Sequence, residues 1–221
     1  MNYFAHGQAF VDQPMVLAGT ALPDWLSVVD RRARARSHVA AQWIGCDDPH
    51  LAALATGVLR HHADDAWFHQ TLAFTELSLD FTCQVRDLLG QDAGFRPYFL
   101  GHILVEILLD DSLIRQNPQQ LEAYYRAFDQ IDVAVLQAAV ERIVPRPVPN
   151  LGEFLRLFSQ ERFLWDYADN AKLLFRLNQV MRRVGLPTLP PQFAELIDGM
   201  REQVTSRADE LYHRSNPLAC S

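Results

Sequence analysis

Seven side chains of types that hold divalent cations fall into a spaced pattern in this sequence: His6, Asp24, His61, Asp65, His69, His102 and Glu106. Imidazole nitrogen and carboxylate oxygen suit Mn, Fe or Zn where no thiolate is offered, and spacing does not choose among the three. Two pairs, His61/Asp65 and His102/Glu106, are four residues apart, which puts both members on one face of a helix. His69 extends the first series by the same interval. His62 lies three residues from Asp65 and seven from His69, so either histidine of the pair can face inward, and the repeated interval of four favours His61.

Context strengthens the pattern. His102 and Glu106 interrupt an apolar stretch, Gly101 to Leu109, where an unpartnered polar group is costly and one cation satisfies both. Taken together, two such pairs, a third histidine in phase and the early His6 and Asp24 favour a metal site over separate buried hydrogen bonds. The expected division is two ions, one on His6, Asp24, His61 and Asp65, the other on His69, His102 and Glu106. Asp65 is a candidate bridge, and Asp65 and Asp24 are the expected catalytic carboxylates. Such ions acidify a bound water and neutralise developing negative charge on a substrate, so the chemistry expected of the residues themselves is metal-dependent hydrolysis. Asp110 either extends the His102/Glu106 stripe or reaches solvent with Asp111. His38 is a weaker candidate ligand, and His50 and His213 are expected to be solvated.

The elements that must position these groups are helices, because i, i+3, i+4 apolar spacing recurs while alternating strand patterns are missing. The expectation is all-α, one domain over residues 1–221, a helical bundle with its last few residues disordered. Pro23 is read as opening a helix that carries Trp25 to Val29 and then an arginine run. Asp47 or Asp48 caps a long helical stretch from Pro49 to Gly90. Further helices are expected at 97–115, 119–144, 151–184 and 192–212. Between the middle two, Pro145 to Pro149 form a stiff connector. Phe154, Phe158, Phe163, Trp165 and Phe175 are expected in the core.

Net charge is −7 and the pI about 5.6, which excludes general attraction to nucleic acid or an anionic membrane. The local exception is Arg31, Arg32, Arg34 and Arg36, a basic run suited, with Arg60, to clamping phosphate oxygens. Three cysteines without CxxC spacing argue against a disulfide framework or cysteine zinc site. A cytoplasmic location is expected, with no secretory leader and no membrane span. No nucleotide-binding glycine motif or GxSxG occurs.

The opening Met1-Asn2-Tyr3-Phe4-Ala5-His6, Gly19 with Leu22-Pro23-Asp24-Trp25, Gly57 with His61 and Asp65, and His102 resemble the acyl carrier protein phosphodiesterases, which are related to the all-helical HD hydrolases. Ser159 to Tyr167, Asp169 to Asn178 and Arg182-Arg183 are similar to that family's C-terminal region, so the resemblance spans most of residues 1–185. It departs at His69, where the family tends to carry aspartate, and in lacking an adjacent His-Asp pair. The order His6, Asp24, His61, Asp65, His69, His102, Glu106 also resembles zinc-dependent phospholipase C. The first resemblance implies release of 4'-phosphopantetheine from holo-acyl carrier protein, an acidic partner for the arginine run. Two other readings stand beside it. One is hydrolysis of a small phosphoester, nucleotide or phospholipid headgroup. The other is a non-enzymatic helical binding protein with a structural metal or polar core.

Overall fold

In chain order, the computed structural model runs α1 (Tyr3–Gly7), α2 (Pro14–Val29), α3 (Ser37–Ala40), α4 (Pro49–Phe68), α5 (Leu72–Leu89), α6 (Pro97–Gln116), α7 (Pro118–Asp129), α8 (Val133–Ile143), α9 (Leu151–Glu161), α10 (Asn170–Arg183), α11 (Ala194–Ser206) and α12 (Ala208–Leu211). It describes residues 1–90 and 94–212 and is all-helical, with no strand among them. His213 and the expected C-terminal disorder lie outside the described residues. Among the described residues no helix is long and apolar enough to cross a membrane.

Capping residues cut the long expected helices into shorter ones. Asp48 Oδ1 accepts from the His50 and Leu51 N–H groups and starts α4 as expected. The stretch to Gly90 is not continuous, however. Thr71 Oγ1 accepts from the Phe74 N–H and opens α5, leaving His69 in the turn between the two helices. Asp132 likewise accepts from the Ala134 and Val135 N–H groups and divides the expected 119–144 helix. The 151–184 stretch breaks where Arg162 takes a left-handed φ of 46°. Pro23 does not open a helix; Pro14 does, and Pro23 lies inside α2. The arginine run leaves that helix at Asp30 and forms a non-helical segment in which Ala33 and Ala35 are buried while Arg32, Arg34 and Arg36 are exposed.

Packing divides the chain into two units, each made of separate stretches. The first unit is Met1–Ala66 with Gln116–Leu164. Its core is aromatic: Trp25 is fully buried against Phe128, Phe154 and Phe158, and Tyr124 donates its hydroxyl to the Tyr3 carbonyl. Here α2 and α4 cross with their backbones nearly touching, at Gly19 and Gly57. A Cβ built on Gly57 would meet the Val16 carbonyl oxygen and lie 2.7 Å from Gly19 Cα. The second unit is Trp67–Arg115 with Trp165–Ser221. It buries Phe81, Leu104, Leu108, Leu173, Leu177, Met200 and Val204. Phe175 is exposed rather than core, because α10 buries the face carrying Leu173, Leu177 and Met181. Gly101 repeats the close-approach device, since a Cβ there would sit 2.5 Å from the Ser78 carbonyl oxygen.

The glycine crossing gives the first expected result. Gly57→Ala forces α2 and α4 apart and is expected to destabilise the protein by about 2–3 kcal/mol in urea denaturation. Gly199→Ala, on α11 with open space around the added methyl, is expected to be neutral or stabilising by up to about 1 kcal/mol. Equal effects at the two positions would contradict the close approach.

Candidate metal centre

In the first unit, α4 presents His61 and Asp65 one turn apart and α1 supplies His6. One donor atom from each of these three lies within 4.8 Å of the others. His6 Nε2 is 3.2 Å from Asp65 Oδ1, and His61 Nε2 is 3.4 Å from Asp65 Oδ2. The two imidazoles stack at 4.2 Å between centroids. Donors bound tetrahedrally at about 2.1 Å stand about 3.4 Å apart, so these separations suit a shared cation.

The outer contacts orient both rings. His61 Nδ1 donates to the Thr20 carbonyl at 2.8 Å, which fixes the ring with Nε2 toward Asp65. Thr20 follows Gly19 at the helix crossing, so the close approach of α2 and α4 is what brings this acceptor to His61. Behind His6, Asp64 Oδ2 lies 3.6 Å from Nδ1, while Asp64 Oδ1 pairs with Arg60 Nε at 2.7 Å. Neither buried ring nitrogen of His6 makes a hydrogen bond of acceptable geometry, although a carboxylate faces each of them.

Burial opposes a charge on His6, yet Asp64 and Asp65 beside it push its pKa up to about 9. Burial also opposes a charge on Asp65; His6, His61 and the Met1 ammonium, 2.8 Å from Oδ1, nonetheless hold its carboxyl far below the usual range. Positive charge is drawn to this point, and an incoming metal ion would displace a proton from His6.

In the second unit, His69, from the turn after α4, meets His102 and Glu106 of α6. Both histidine Nε2 atoms address Glu106 Oε1, at 3.1 and 3.2 Å, and one donor atom from each residue again lies within 4.8 Å of the others. Burial would raise the Glu106 carboxyl; hydrogen bonds from His102 and His69 are among the causes that instead lower it to about 2, so it is ionised at any working pH. The Phe74 ring stands edge-on to both imidazoles, with centroids 4.8 and 4.9 Å away.

Six of the seven expected ligands thus gather into two triads of two histidines and a carboxylate. Asp24 is not among the gathered donor atoms. His62 turns elsewhere and bonds through Nε2 with the Ala35 carbonyl at 2.8 Å, which fixes the arginine segment to α4. Arg60 is engaged with Asp64. Asp110 and Asp111 do not reach solvent, as both are fully buried. His38 and His50 are exposed, as expected for His50. Sequence reasoning missed Asp64 and the Thr20 carbonyl. Asp64 carried a usable signal, because it lies four residues from Arg60 on the same helix.

The class these observations define is an all-helical protein with two triads, each of two imidazoles and one carboxylate. No family model matches the chain, and no curated protein or solved structure matches it either.

Proposed function

We propose that this protein is a metal-dependent phosphodiester hydrolase that holds one divalent cation on His6, His61 and Asp65 and another on His69, His102 and Glu106. The observation that carries the reading is the convergence of two sets of paired imidazoles with a carboxylate, whose donor atoms are spaced for a shared ion. Bound Mn, Fe or Zn supplies a water acidified toward neutral pH and charge neutralisation at the phosphoryl oxygens. The chain's own residues do the rest. Thr20 and Asp64 orient the imidazoles of the first triad, and Glu106 stays anionic between its two histidines.

The finer reading is that the substrate is holo-acyl carrier protein, which loses 4'-phosphopantetheine. It is supported by the resemblance of the motifs around His6, Asp24, His61 and Asp65, and by the segment carrying Arg32, Arg34 and Arg36 outward. That segment offers an acidic protein a basic surface on a chain of net charge −7. Arg31, Arg32 and Arg34 are its proposed substrate contacts.

A second reading, a binding protein with a polar interior, is favoured by one observation: each carboxylate already lies close to both imidazoles of its own triad, Asp65 at 3.2 and 3.4 Å and Glu106 at 3.1 and 3.2 Å. The test is elemental analysis of protein loaded with Mn, Fe or Zn, followed by incubation with holo-acyl carrier protein and with bis(p-nitrophenyl) phosphate. The products are followed by mass spectrometry. The expected result is stoichiometric metal and release of phosphopantetheine. Cleavage of the small diester alone removes the carrier-protein substrate, and absence of bound metal after loading removes the hydrolase.

A further inference from the structure

We propose that the two triads are different kinds of cation site: His6, His61 and Asp65 form a closed site whose ion is part of the fold, whereas His69, His102 and Glu106 form an open site whose ion exchanges and meets the substrate. This division rests on reading both triads as cation sites.

It is drawn from exposure and from what stands behind the ligands. The side chains of His6 and His61 are 0% and 5% exposed, whereas those of His69 and His102 are 34% and 32% exposed. Structural ions sit in closed sites, while a hydrolytic ion keeps a position for water and substrate; the imidazoles leave such a position at the second triad, whereas Asp65, at 31%, is the one half-exposed ligand of the first and Glu106 is 17% exposed. The first triad is also backed by fixed polar partners: the Thr20 carbonyl on His61, and Asp64, itself tied to Arg60, beside His6. Such outer partners hold a ligand in its binding orientation, and their loss weakens metal binding by roughly 10–100-fold. The imidazoles of the second triad are flanked instead by the apolar Phe74 ring, which shapes the site without fixing a tautomer. The first triad is stitched together from α1 and α4, and the Thr20 carbonyl of α2 backs it, so an ion there cross-links the helices of the first unit.

The test uses the full chain loaded with zinc and titrated with a graded chelator. Bound metal is followed by native mass spectrometry and unfolding by thermal melting, in wild type, His61→Ala and His102→Ala. Wild type is expected to hold two ions and to release one at a chelator concentration at least about tenfold below the other. His102→Ala should keep the tightly held ion and the metal-dependent rise in melting temperature. His61→Ala should lose that rise and retain one weakly held ion. If His61→Ala does not fold, His102→Ala decides alone, since its remaining ion must be the tight one. Release of both ions together, or a tight ion lost in His102→Ala, overturns the division while leaving the hydrolase reading standing. A wild type that takes up no zinc overturns both.

Discussion

Glu106→Gln is expected to lower phosphodiesterase turnover on the order of a thousandfold while leaving the fold in place. Under the proposed function, an ion at the open triad would contribute several kcal/mol to stabilising the charge that develops at phosphorus, and each 1.36 kcal/mol is about a factor of ten in rate. Glutamine keeps the length and shape of the side chain but removes the one negative charge between two imidazoles. Glu106 is held near pKa 2, so the wild-type site offers a full anion across the working pH range, and the amide offers only a dipole. The side chain lies at a solvent-facing triad rather than in the Leu104 and Leu108 core, so the melting temperature of the metal-free protein should shift by no more than a few degrees. Steady-state kinetics on metal-loaded protein, with bound metal counted in parallel, checks this. Wild-type turnover in a Glu106→Gln variant that has lost its ion would end the assignment of catalysis to this triad.

How much of this was legible in the sequence depends on the range of the interaction. His61/Asp65 and His102/Glu106 could be paired in advance because a helix sets their spacing by itself, and both pairs do face the same way on α4 and α6. His69 shows where that logic stops. Its interval of four placed it on the same stripe, but the Thr71 hydroxyl captures the Phe74 N–H and ends the helix first. His69 therefore joins His102 and Glu106 from a turn. Asp24 entered the expected set through its residue type and the Leu22-Pro23-Asp24-Trp25 segment; the group that α2 presents to His61 is instead the Thr20 carbonyl, a backbone atom that no side-chain pattern records. The glycines were legible only as residues. That Gly19 and Gly57 face each other follows from the crossing of two helices, which a linear reading does not contain.

Asp111 and Arg201, 90 residues apart and equally beyond local pattern, carry the second large expected effect: Arg201→Met should destabilise the protein by about 3–5 kcal/mol. Asp111 is fully buried in the second unit and receives Arg201 Nε at 2.5 Å. The same guanidinium donates to the Asn170 and Asp198 side chains and to the Tyr167 carbonyl, so it ties α6, α10 and α11 to the segment before α10. Methionine fills much of the space but leaves the Asp111 carboxylate in a low-dielectric interior with Arg115 as its remaining cation, and the Arg115 side chain is 47% exposed. The cost is that of the stranded charge more than of the lost attraction, which the pair of variants separates. Asp111→Leu combined with Arg201→Met removes both charges at once and lets Arg115 turn to water, so urea denaturation should return most of the lost stability. A double variant as unstable as the single one would mean that the hydrogen bonds of Arg201 to Asn170 and Tyr167, rather than its pairing with Asp111, hold these helices together.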